Sequence, residues 1–162
     1  MDKSTIEGLF MELDAQLEHP LEISVVGGAA MVLLDFKPST PDVDSVTEIP
    51  EDVKDLITMI GGAHDLDNKW LNDALHGFAE LPDDKSQVLW EGERLSVKGP
   101  TAEFQLLLKA ESARHDKDLD DVLALAQGLG MKVNQVESFY KRETGKPLPQ
   151  NVYFHLLYSD VA

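Results

Sequence analysis

Asp42 and Asp44 stand two residues apart in the run Thr40-Pro41-Asp42-Val43-Asp44-Ser45-Val46, and that spacing is the chain's clearest chemical signal. In an extended strand, residues two apart share a face. Both carboxylates are therefore expected side by side, with Val43 turned into the sheet. Like charges so placed repel unless a cation lies between them, and a hard divalent ion such as Mg²⁺ or Mn²⁺ suits a pair of carboxylate ligands. Upstream, Ile23, Val25 and Val26 read as a short apolar strand running into Gly27-Gly28 and a small-residue helix from Ala29 to Leu34. Paired glycines let the backbone turn sharply and approach a ligand, and amides at a helix start attract phosphate or other anions. In the loop between, Ser39 and Thr40 carry hydroxyls able to bond phosphate oxygens or their own backbone. Phosphate and metal held together are what phosphoryl transfer requires, as positioning plus neutralisation of developing charge.

The order of strand, Gly27-Gly28, helix, loop and Asp42-Val43-Asp44 resembles the signature of the nucleotidyltransferase superfamily, whose fold is that of the catalytic domain of DNA polymerase beta. More narrowly, VVGGAAMVLL with TPDVDSV looks like bacterial minimal nucleotidyltransferase-like proteins related to abortive-infection toxins of the AbiEii type, and Trp70-Leu71-Asn72-Asp73 is similar to a run in that group. KAESARHDKDLDD, Lys109 to Asp121, is similar to the relatives' helix pair and places Lys109, Arg114, Lys117 and Asp118 at matching positions. The resemblance spans about residues 23 to 129. It implies an α/β (α+β) fold, a mixed sheet with flanking helices and a helical C-terminal part. It also implies Mg²⁺-dependent transfer of NMP from an NTP to an acceptor hydroxyl on RNA, protein or a small molecule, with an antitoxin as a further partner. Gly27, Gly28, Ser39, Thr40 and Lys109 would then bind nucleotide, and Asp42 and Asp44 would hold the metal as the catalytic pair.

Active members of that superfamily present a third carboxylate from a neighbouring strand. The candidate strands, Gln87–Trp90 and Arg94–Lys98, contain no acid, leaving Glu91, Glu93, Asp116 and Asp118 as substitutes. A nucleotide-binding or scaffold protein without catalysis is the alternative, and a plain α/β domain whose Asp42 and Asp44 cap a strand end is the third reading. Lys109, on a largely apolar stretch, either extends to solvent or meets an anion, and Arg114 and Asp118, four apart, are spaced to pair with each other.

The 162 residues suit one domain, here with a core at about 22–130 and a helical extension over 131–162. With no cysteine, thiol catalysis, thiolate zinc sites and disulfides are excluded, and a reducing cytoplasm is expected. A net charge of -16 argues against a polybasic membrane binder or DNA coat, and no apolar run reaches bilayer length. Helical spacing predicts a helix over Ser4–Glu18 with Ser4 as cap, and another over Pro50–Ile60 stopped by Gly61-Gly62. Lys69–Glu80, with Trp70, Leu71, Leu75 and Phe78, reads as a helix or helical turn. A hairpin is expected around Glu91-Gly92, then helices up to Arg114, from Asp118 and over Val136–Thr144, the last capped by Asn134. The final apolar segment, Asn151–Tyr158, has no assigned type, and His64, Asp65 and Asp67 make a weak metal trio.

Overall fold

In the computed structural model, which describes residues 1–77 and 81–159, the apolar spacing of Ile6, Leu9, Phe10 and Leu13 becomes the buried face of helix α1 (Lys3–Gln16). Asp2 rather than Ser4 caps it, with its carboxylate accepting the Thr5 N–H at 2.8 Å. There follow β1 (Leu21–Val26), α2 (Gly27–Leu33), β2 (Val43–Ser45), α3 (Glu51–Ala63) and β3 (Leu71–Asn72). A 3-10 turn at Asp83–Lys85 then leads into β4 (Ser86–Glu91) and β5 (Leu95–Pro100). The hairpin expected around Glu91-Gly92 is present. Gly61 and Gly62, expected as stops, lie inside α3, because the Leu66 N–H reaches back to the Gly61 carbonyl and closes the helix beyond them.

The five strands form one mixed sheet in the order β3-β2-β1-β5-β4. β1 runs antiparallel to β2 and parallel to β5; β2 is parallel to β3, and β4 and β5 are antiparallel. Alternation sorts the side chains. Ile23, Val25, Val43, Leu71, Leu95 and Val97 join one core with α1 and with Val53, Ile57 and Ile60 of α3. Glu22, Ser24, Asp44, Asn72, Ser96 and Lys98 occupy the alternate positions of the paired strands. The sheet therefore has one apolar and one polar face.

Of the helix or helical turn expected over Lys69–Glu80, the described part forms only a turn, in which the His76 N–H meets the Asp73 carbonyl at 2.9 Å. Leu71 and Asn72 instead make the edge strand β3, in register with Val43 and Asp44. Trp70 is buried as its type demands, but through an indole N–H donated to the Ile57 carbonyl at 2.9 Å. Phe78, counted with that helix, lies outside the described residues.

Residues 102–162 cluster as a second compact unit, distinct from Met1–Thr101. Its described elements are the helices α4 (Ala102–Ser112), α5 (Asp116–Gly128), α6 (Val133–Thr144) and α7 (Gln150–Leu157), the last settling the type of the final apolar segment. The Gln135 side chain accepts the Lys132 N–H at 2.8 Å, so α6 starts before the expected Asn134 cap. The chain is thus an α/β protein with seven α-helices and a five-stranded mixed sheet among the described residues. No helix among them is long and apolar enough to cross a membrane.

One long-range contact ties α1 to the β4–β5 hairpin. The Asp14 carboxylate accepts the backbone N–H groups of Glu93 (3.1 Å), Arg94 (2.8 Å) and Leu95 (2.7 Å). Gly92 leaves room for it, since a Cβ there would lie 2.4 Å from the carboxyl carbon. These amides, the Leu95 N–H foremost, hold Asp14 below the 3.8 of an unperturbed aspartate. Ionisation is therefore easier in the folded chain. The resulting stability is full above pH 3.8 and is lost as pH falls through the lowered folded value. Asp14→Ala should lower unfolding stability by about 1–2 kcal/mol near neutral pH, since it orphans three donors. Urea melts of Asp14→Asn against wild type should show the two converging at strongly acidic pH.

Candidate functional site

The antiparallel pairing of β1 with β2 sets Val26 opposite Asp44, at the point where β1 gives way to α2. Gly27 takes a positive φ of 70°, a conformation L side chains adopt at a cost. A Cβ built on it would stand 3.9 Å from Oδ2 of Asp44, so the glycine backbone lies next to that oxygen. The Gly27-Gly28 pair is therefore not a loop before the helix but its first turn, directly beside the carboxylate. Gly28 is needed for a different reason. A Cβ there would lie 2.6 Å from Thr40 Oγ1.

Asp42 precedes β2 by one residue, and it lines the same cleft as Asp44. Both are half-buried. Asp44 Oδ1 accepts a hydrogen bond of 3.1 Å from Asn72 Nδ2, and that same amide reaches the Lys69 carbonyl at 3.3 Å. Asn72 in turn accepts the Ala74 N–H at 3.1 Å, so its side chain is fixed from both ends. The next residue, Asp73, uses Oδ2 to accept the Ile49 N–H at 2.9 Å and the Lys54 ammonium at 3.3 Å. The Ile49 amide, reinforced by Lys54, holds Asp73 below the usual carboxylate range; the bond to Asp73 raises Lys54. These side chains line a cleft of about 770 Å³ with Ile49, Ile57, Trp70 and Leu71 as its apolar part.

The other sequence-predicted residues fall in distinct places. Thr40 is buried; its hydroxyl donates to the Asp42 carbonyl at 3.2 Å, and its backbone pairs with Met1. The bond to nearby backbone, one of its two expected roles, is formed. Ser39 is exposed in the loop. Lys109 belongs to the helical unit, where its ammonium lies 2.9 Å from Asp121 and 4.0 Å from Asp118. Asp121 is 5% exposed, so this pair joins α4 to α5 as a largely desolvated ion pair. Asp118 also accepts the Arg114 backbone N–H at 3.4 Å, a helix-start contact rather than the expected side-chain pair.

Among the described residues no group of three His, Asp or Glu side chains is placed to hold a metal. The His64, Asp65, Asp67 trio accordingly dissolves: His64 pairs with Glu12 of α1, and Asp67 accepts the Lys69 N–H at 2.7 Å. Asp42 and Asp44 can still supply two oxygen ligands to a hard cation, the number Mg²⁺ takes from protein when phosphates and water complete its shell. Sequence reasoning missed Asn72, Asp73 and Lys54. The signal was the run Trp70–Asp73, whose apolar pair occupies the core while its polar pair serves the cleft.

No protein-family model matches the chain, and neither a curated protein nor a solved structure matches it.

The close approach of Gly28 to Thr40 gives a stability test of the site's frame. Gly28→Ala should cost about 1–3 kcal/mol through overpacking. Combined with Thr40→Ala, which removes the offending hydroxyl, it should cost less than the sum of the two single changes. Additive costs in that double-mutant cycle would mean the helix start and the loop are not in contact.

Proposed function

We propose that the cleft binds a nucleoside triphosphate as its Mg²⁺ or Mn²⁺ complex, with Asp42 and Asp44 as the protein's ligands to the metal. The observation that supports this most is the placement of Asp44. One oxygen is oriented by Asn72, and the other lies beside the Gly27 turn at the start of α2. The bound metal would neutralise phosphate charge at that spot. Asp42 and Asp44 position it, the glycine turn leaves room for the phosphates, and the apolar wall gives the nucleoside a surface excluded from water.

Charge explains why such binding would depend on the metal. Residues 1–101 carry 21 Asp and Glu against 7 Lys and Arg, a net of -14 of the chain's -16. A naked polyanion meets repulsion at that surface, and a divalent ion reverses the sign of the local field. Transfer of NMP to an acceptor hydroxyl would need a further group to take the acceptor's proton. Among the described residues no third His, Asp or Glu joins the two aspartates in a metal-holding group, so the proposal is one of metal-dependent nucleotide binding.

Calorimetric titration with ATP, GTP, CTP and UTP should show binding in Mg²⁺ that EDTA abolishes. Asp44→Asn preserves the oxygen that meets Asn72 and removes the charge. It should weaken binding by at least about tenfold, with the melting curve largely unchanged. Nucleotide binding that persists in EDTA or is indifferent to Asp44→Asn would refute the proposal.

A further inference from the structure

We propose that Lys54 is the residue that meets the ligand's phosphate groups in this cleft, and that Asp73 parks it at the cleft wall until the ligand binds; the inference rests on the nucleotide reading of the cleft. Two consecutive residues orient opposite charges that line one cavity. Asn72 donates to Asp44 at 3.1 Å, and Asp73 accepts from Lys54 at 3.3 Å. Asn72 and Asp73 are adjacent at the end of β3, so the carboxylate of Asp44 and the ammonium of Lys54 are contacted from neighbouring positions of the chain.

The Lys54 side chain remains 40% exposed and rests on Asp73 and, at 3.4 Å, on the open Glu51 carboxylate. Such partly exposed pairs are weak. A phosphate chain presents more charge and several acceptor oxygens, and it would draw the ammonium off Asp73. The exchange leaves no orphan, because Asp73 still accepts the Ile49 N–H at 2.9 Å. Asp73 is therefore a competitor that parks the lysine at the cleft wall while the cleft is empty of ligand. Lys109, the lysine that the sequence suggested for this task, is already engaged by Asp118 and Asp121.

The test is titration of the full chain with the four Mg²⁺-nucleoside triphosphates, alongside thermal melts of each variant. Lys54→Gln should weaken binding by about tenfold or more. Asp73→Asn keeps an amide oxygen for the Ile49 N–H but frees the lysine, and should tighten binding by about two- to fivefold. The gain should vanish in the Lys54→Gln background, which a merely structural role for Asp73 would not produce. Wild-type affinity retained in Lys54→Gln, or an affinity at or below wild type in Asp73→Asn, would overturn the inference. If the wild-type protein binds in an Asp44-dependent way and Lys54→Gln changes nothing, only this inference falls. If the wild type binds none of the four, the nucleotide reading itself falls.

Discussion

A strand of three residues, Val43–Ser45, is paired on both sides, and the geometry of the candidate site depends on that double pairing. Its antiparallel neighbour β1 brings Asp44 to Val26 and hence to the glycine turn. Its parallel neighbour β3 brings Asn72 to the same carboxylate. Register is enforced by burial, since Val43 and Ser45 are fully enclosed while Asp44 is not. A slip by one residue would drive the carboxylate into the core and expose the valine. Ser45 tolerates enclosure because its hydroxyl donates to the Thr47 carbonyl at 2.8 Å and accepts the Thr47 N–H at 3.0 Å. The apolar side of the sheet thus fixes what the polar side presents.

The same logic extends outward from β2. Leu71 and Trp70 anchor β3 in the core, which leaves Asn72 and Asp73 to face the cleft with little freedom. Asp73 in turn caps the Ile49 amide just ahead of α3, whose first turn carries Lys54. On the other side, Gly28 packs on Thr40, and Thr40 bonds the carbonyl of Asp42. Every polar residue of the cleft discussed above is reached from a buried neighbour within one or two positions. That is how half-buried polar side chains are held in place at the cleft.

Much of this frame was legible in the sequence. The apolar alternation of Ile23, Val25 and Val26, the glycine pair and the two aspartates gave β1, α2 and β2 because each signal is local and of the right period. The hairpin at Gly92 was legible for the same reason. β3 was not. A two-residue edge strand has no period to read, and the spacing of Trp70, Leu71, Leu75 and Phe78 imitates a helical face. The partnerships that build the cleft were equally invisible, because they are non-local: Asn72 meets Asp44 across 28 positions, and Asp14 meets Leu95 across 81. Lys109 shows the converse. Its apolar flanks suggested a lysine reaching for solvent or an anion, whereas the anion it reaches lies on the next helix of its own unit. Helix starts shifted by one to three residues, as at Asp2 and Lys132, where several capping side chains compete within one turn.

The central claim is that Asp42 and Asp44 hold a divalent ion carried in by a nucleoside triphosphate. The most direct measurement is anomalous diffraction from crystals grown with Mn²⁺ and a non-hydrolysable nucleoside triphosphate analogue. The account predicts a manganese peak bonded to both carboxylates and to phosphate oxygens beside Gly27. Manganese absent from that pair while the analogue is bound elsewhere would contradict it.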